Sequence, residues 1–254
     1  MKPDEMRQGM KSIMIGGLGV LAGAAGAVLA TGAVPGKSET VNTTDRAAIE
    51  KIVREYILAN PEILPEAMQN LERKEATNRV KQQGGKIEQP FAGAWEGAAD
   101  ADVTVVEFFD YACGYCRQAL PDIEKLLAGD KKVRIVYREL PILGPPSEEA
   151  ARVSLAVAKM GGNYGAYHRA LFGAGRPSLD TINAALKTAG VDVKAARALA
   201  SSDDISAEIK ANLALQQSLG LSGTPSWVIG DQLIGGAVGY DDLKAAVADA
   251  RKEE

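Results

Sequence analysis

This chain has little of the chemistry that proteins most often use for staples and metal sites. Its 254 residues include only two cysteines, one histidine and 5% aromatics. With His168 as the lone histidine and no second C-x-x-C pair, a four-ligand structural zinc site is out of reach unless a second subunit completes it. A framework of several disulfides is excluded. The net charge of −4 leaves no electrostatic footprint for nucleic acid, so none is expected as a partner. No internal repeat or low-complexity tract follows Gly36. What remains is ordinary globular material, 46% hydrophobic and 24% charged. It is long enough for one substantial domain and a smaller piece.

Charge is also missing from Ser12 to Gly36, behind Lys2, Arg7 and Lys11. A positive front, an apolar middle and the small residues Ala30-Thr31-Gly32-Ala33 have the character of an export signal. The run is longer than a usual signal core, so residues 1–36 are read as a signal peptide or a retained membrane anchor. A buried internal helix is the remaining alternative. Either export reading puts the rest of the chain where thiols can run oxidised.

Residues 43–83 read as two helices. Ile49, Ile52, Val53, Tyr56 and Ile57 recur at helical spacing in the first, and Ile63, Leu64, Ala67, Met68 and Leu71 in the second. Asn60-Pro61 separates them, with Asn60 expected as the N-cap and Pro61 at the first helical position. Helices this short do not bury such stripes alone. They either pack on the main domain or associate with copies of themselves. "QQGGK" reads as a linker.

The main domain, 90–254, opens with a strand, "DVTVVEFFD", a helix from about Cys113 to Ala128, and a second strand, "KVRIVYREL". This βαβ start implies a parallel pair with a right-handed crossover. From about 147 to 219 the pattern is helical, broken at Gly161-Gly162, at Gly173 to Pro177 and at Gly190. "PSWVIG", a turn at Gly230-Asp231 and "QLIGG" read as a hairpin, followed by a helix from about Tyr240 to Arg251. The fold class is α/β: one sheet-based domain with a helical insertion.

Both cysteines lie in "EFFDYACGYCRQALPDIEKLL". A Cys113–Cys116 staple would close a very small loop and stabilise little. A working dithiol needs one exposed sulfur with a lowered pKa and a second within reach. Cys113 opens the helix, where unpaired N–H groups favour a thiolate, and is expected to be exposed. Cys116 is in line with Leu120, Ile123 and Leu127 and is expected to be buried. Cys113 is then the nucleophile and Cys116 the resolving thiol. In the preceding strand, Val103, Val105, Glu107 and Phe109 alternate with Thr104, Val106 and Phe108. Glu107 therefore sits in a strand apolar on both faces, where burial raises a carboxyl pKa and lets it take or relay the Cys116 proton. The alternative is an exposed residue or an ion pair with Arg117 or Arg138.

From about Asp100 to Ala250 the chain resembles the DsbA-like branch of the thioredoxin superfamily. "VVEFFDYACGYCRQ" is similar to the family's strand-to-active-helix signature, with Glu107 at the place of its buried acid and Pro121 at the proline that kinks the helix. "YHRALF" is similar to a structural motif of the family's helical insertion, which makes His168 a packing residue. "LSGTPSWVIG" resembles the second signature, implying a cis Thr224-Pro225 bond facing the dithiol. Thr224 and Pro225, with Gly114 and Tyr115, then contact substrate. Residues 43–83 resemble the segment before the redox domain in ScsC and Com1-like proteins, which implies a possible homo-oligomer through that segment. The resemblance implies a thioredoxin-like fold and an exported, periplasmic or membrane-tethered oxidoreductase with no diffusible cofactor. Its partners would be client proteins with thiols or disulfides and a membrane redox partner. Gly-Tyr between the cysteines is more like the isomerase DsbC than the Pro-His of the oxidase DsbA. A dithiol holding Cu(I) without turnover is the alternative from another class.

Overall fold

The computed structural model describes residues 43–252. The apolar segment read as a signal or anchor lies outside them. Among the described residues no helix is long and apolar enough to cross a membrane.

The chain divides into two units after Glu55. The first helix, α1 (Thr43–Ala59), carries its apolar residues in the open: Ile49, Ile52, Val53, Tyr56 and Leu58 are all exposed. Asn60 does not cap the helix that follows. Its side-chain Nδ2 donates back to the Tyr56 carbonyl at 2.8 Å, which closes α1 instead. The next helix, α2 (Ile63–Gln83), starts two residues after Pro61 and has no side-chain cap. Its first half is exposed at Leu64, Met68 and Leu71. Its second half packs on the domain through Val80, and Arg79 donates to the Leu219 carbonyl at 2.9 Å.

The sheet is built on the alternating strands foreseen from the sequence, β2 (Val103–Phe109) and β3 (Val133–Glu139), which run parallel. Between them runs α3 (Gly114–Gly129), which continues through Pro121. The hairpin of β4 (Ser226–Ile229) and β5 (Gln232–Gly235) adds antiparallel to β2. A strand not foreseen, β1 (Trp95–Gly97), pairs antiparallel with β3, giving the order β1-β3-β2-β4-β5. Three residues carry no readable alternation, so β1 is defined by its partner strand rather than by its own pattern.

Five helices form the insertion: α4 (Pro145–Lys159), α5 (Tyr164–Gly173), α6 (Leu179–Thr188), α7 (Val193–Leu199) and α8 (Asp203–Leu219). Their starts follow from capping chemistry. Asn163, Ser178 and Asp192 each accept a backbone N–H in the first turn that follows. Gly220 closes α8 in the left-handed conformation that costs glycine least. The last helix is α9 (Tyr240–Ala250).

Sheet alternation splits the interior in two. One face sends Val103, Val105, Phe109, Ile135, Tyr137 and Trp227 into a large core with α3, α4, α5, α6 and α9. The other sends Val106, Phe108, Val136 and Val228 against Val80, Ile87, Leu219 and Leu221.

Candidate active site

The site forms where β2 hands over to α3. Asp110 stops the strand. Its backbone carbonyl takes the Cys113 N–H at 2.9 Å. Its buried carboxylate accepts from the Ala112 N–H at 2.7 Å and from the Ile142 and Leu143 N–H groups at 2.9 Å each. One side chain thus fixes both the turn into α3 and the loop after β3. Cys113 is the N-cap of α3, with extended backbone (φ −78°, ψ 118°). Cys116 lies one turn further in.

The two sulfurs are unequal, but both are enclosed. Cys116 is 1% exposed and Cys113 6%, which corrects the expectation that Cys113 is open to solvent. The Cys113 Sγ donates to the Thr224 carbonyl at 3.3 Å. That contact joins residues more than a hundred positions apart. The Thr224–Pro225 bond is cis, and the Pro225 carbonyl is held by the Gly236 N–H at 2.9 Å. Between the cysteines, Gly114 and Tyr115 face outward, Tyr115 being 65% exposed. A Cβ added at Gly114 would meet nothing.

Glu107 is fully buried, opposite Tyr137 of β3 and Trp227 of β4. Neither carboxyl oxygen has a hydrogen-bond partner within the protein. The ion-pair alternative is not realised, since Arg138 points to the other face and pairs with Glu208 at 2.8 Å. Burial above all, then the nearby Glu139 and Cys113, hold the Glu107 carboxyl well above its ordinary value. Burial and then the Glu107 charge push the Cys116 thiol far up. Charge on Glu107 therefore disfavours a thiolate at Cys116.

His168 is buried among Tyr137, Phe109 and Phe172, with ring centres 4.4, 4.8 and 4.8 Å away. Its Nδ1 shares a hydrogen bond of 3.2 Å with the Tyr111 hydroxyl. Burial, and then Arg169, bring its pKa down to about 3. It is a neutral packing group.

Two buried acids were not singled out from the sequence, Asp110 and one on β3. Glu139, at the end of β3, is 1% exposed and accepts from the Tyr164 hydroxyl at 2.8 Å. The signal was present: Val133, Ile135, Tyr137 and Glu139 alternate onto one face, just as Glu107 follows Val103 and Val105. Among the described residues no group of three or more His, Cys, Asp or Glu is arranged to hold a metal ion.

Residues 104–248 match the family described as DSBA-like thioredoxin domain, and residues 45–77 match the copper resistance protein ScsC N-terminal domain. Among solved structures, a thioredoxin-like oxidoreductase from Silicibacter pomeroyi is 41% identical, with a TM-score of 0.62 over 65% of this chain and 95% of that one. Proteus mirabilis ScsC in a transitional conformation is 29% identical, with a TM-score of 0.63 over 85% of this chain and 99% of that one. The thiol-disulfide exchange protein alpha-DsbA2 from Wolbachia pipientis is 29% identical, with a TM-score of 0.65 over 70% of this chain and 97% of that one. Among curated sequences, the Na(+)/H(+) antiporter NhaA 3 of Salinispora tropica is 42% identical over 67 residues, which is 26% of this chain and only 10% of the antiporter. The chain spans about a tenth of the length of the curated relatives it matches.

Proposed function

The chain belongs to the DSBA-like thioredoxin domain family, and from that premise we propose that it is an exported thiol–disulfide oxidoreductase acting on disulfides of periplasmic proteins through Cys113 and Cys116. The observation that carries this reading is the unequal setting of the two sulfurs. Cys113 caps α3 beneath the Thr224 carbonyl, while Cys116 lies deeper, with the unpartnered Glu107 acting on it.

Cys113 attacks a client disulfide, or is attacked by a client thiolate, and a mixed disulfide forms. The N-terminus of α3 favours the anionic form of the sulfur that attacks and leaves. Cys116 then attacks the Cys113 sulfur, closes the intramolecular disulfide and releases the client thiolate. Glu107 takes the Cys116 proton in that step and returns it when the reaction runs backwards. Thr224 and Pro225 offer backbone to an extended client segment, and the exposed Gly114 and Tyr115 flank it. A membrane protein would recycle the dithiol.

Gly-Tyr in place of Pro-His favours the isomerase or reductase direction over that of a strong oxidase. The match of residues 45–77 to the ScsC N-terminal domain, with the exposed stripes of α1 and α2, supports a homo-oligomer through residues 43–83. The positive-then-apolar start of the chain supports export to the periplasm.

Cys116→Ser in the full chain tests the core of this reading. The variant should accumulate stable mixed disulfides through Cys113 that a reducing agent releases. If it traps no client while its Cu(I) affinity falls below that of the wild type, the dithiol serves as a metal ligand and the enzymatic reading is wrong.

A further inference from the structure

We infer that Glu139 is a positioning residue for the dithiol: it ionises before Glu107, and its charge keeps the proton on Glu107, ready for the Cys116 sulfur. This rests on the reading of Glu107 as the proton partner of Cys116.

The geometry comes from the strand register. Glu107 stands opposite Tyr137, and Phe109 stands opposite Glu139. Strand spacing and rise put the two acids about 8 Å apart at their origins, on the same sheet face. Both are almost wholly buried, and neither pairs with a cation: the neighbouring Arg138 faces the other way and is bound to Glu208. They differ in one respect. The Tyr164 hydroxyl donates to Glu139 at 2.8 Å, whereas Glu107 receives no donor from the protein. A donor stabilises a carboxylate, so Glu139 ionises first. Two like charges this close in a dry site resist coexisting, so the second acid holds its proton longer.

Burial works most strongly against charge on Glu139, and the groups around it divide. Tyr164 of α5 and Ser154 of α4 favour its ionised form. Asp110 after β2 and Glu208 of α8 oppose it. The balance leaves Glu139 pushed up to about 8. Glu107 is raised well above its ordinary value by burial and then by Glu139 itself. The phenols of Tyr111, Tyr164 and Tyr167 also feel the Glu139 charge.

The step served is the opening of the Cys113–Cys116 disulfide. A thiolate attacks the Cys113 sulfur, and a new S–S bond forms there. The Cys113–Cys116 bond breaks, and Cys116 leaves with the electron pair. Glu107 passes its proton to that sulfur and becomes a carboxylate, then takes a proton back from water. If Glu107 had already lost its proton, Cys116 would have to leave as a buried anion, and the step would slow.

The test is the pH profile of disulfide opening by glutathione in the oxidised full chain, expressed per glutathione thiolate. The wild type should lose rate on an alkaline limb set by Glu107. In Glu139→Gln, which keeps an acceptor for Tyr164, that limb should move to lower pH by about a unit. The carbonyl stretch of the remaining protonated buried carboxyl should fade over the same shifted range. Tyr164→Phe, which removes the donor, should move the limb the same way and less, and it serves if the Gln variant does not fold. Glu107→Gln separates the two claims. If that variant keeps the limb, the reading of Glu107 fails. If it abolishes the limb but Glu139→Gln and Tyr164→Phe leave the midpoint where it was, the role given to Glu139 is wrong.

Discussion

Glu107 and Arg138 sit on adjacent strands, one step apart in register, on opposite faces of the sheet, and the fold treats them in opposite ways. Arg138 is 6% exposed, and its five N–H groups make six hydrogen-bond contacts, one of them shared, to Glu208, to Asn212 and to the carbonyls of Lys86, Ile87 and Gln89. Glu107 is 0% exposed and has no partner within the protein on either oxygen. Taking a charge out of water is costly in both places. On the Arg138 side the cost is met by a full set of acceptors, and the side chain fastens the segment after α2 to β3 and α8. On the Glu107 side nothing meets it, so the group gives up its charge. A neutral acid that needs no ion pair suits the proton role proposed for Glu107. Satisfaction of the buried group, more than burial itself, separates a charge the fold keeps from one it suppresses.

That contrast breaks most visibly at Arg138. Arg138→Met keeps the apolar stem but strands Glu208 and three backbone carbonyls. Losing one partner of a buried pair is expected to cost about 3 kcal/mol or more. Urea unfolding of the reduced chain should show it as a lower midpoint, with the reduction potential of Cys113–Cys116 unmoved. A potential that shifts as far as it does in Glu107 variants would erase the distinction between the two faces.

Glu107→Leu should do the reverse. It removes an acid with no partner to lose, so the domain is expected to gain about 1–3 kcal/mol while proton transfer to Cys116 fails. The gain has a pH signature. A carboxyl whose folded pKa lies above its unfolded value gives full stability below that unfolded value and loses it as pH rises. Since Glu107 is raised well above 4.5, the advantage of Leu should be smallest near pH 4 and widen through neutral pH. Urea midpoints of both proteins across that range check it. A constant gap would mean that Glu107 is not held neutral.

The parts legible in the sequence were those decided within one element. The alternation of β2 predicts that strand and its burial, and it puts Glu107 inside; the second strand of the parallel pair was read as a strand only. The glycine and proline breaks at Gly161-Gly162, Gly173 to Pro177 and Gly190 divide the helical insertion, while the caps Asn163, Ser178 and Asp192 went unread. Most of what escaped was decided by distant partners. Trp95–Gly97 becomes a strand only because β3 offers it an edge. Cys113 is enclosed because Thr224, more than a hundred residues away, covers its sulfur. Asn60 turns back to Tyr56 instead of forward, a choice between two local hydrogen bonds that composition does not decide. Glu139 was readable by the same alternation that exposed Glu107. Without the C-x-x-C beside it, nothing in the strand drew attention to it.

The smallest effect on folding is expected where apolar side chains are not buried at all. Leu64, Met68 and Leu71 on α2 are 52%, 62% and 57% exposed in the single chain, so they contribute little to its interior. Replacing all three with lysine, a good helix former, should change the unfolding free energy of one chain by no more than about 0.5 kcal/mol. If residues 43–83 hold copies together, the same change buries three charges in the contact, and the assembly should fall apart. Sedimentation of wild type and variant at equal concentration reads the mass directly. A wild-type assembly that drops to one chain with its thiol chemistry intact would assign the exposed stripe to association and the dry sheet face to catalysis. A triple variant that sediments like the wild type while losing several kcal/mol of stability would mean that these side chains are part of the fold itself.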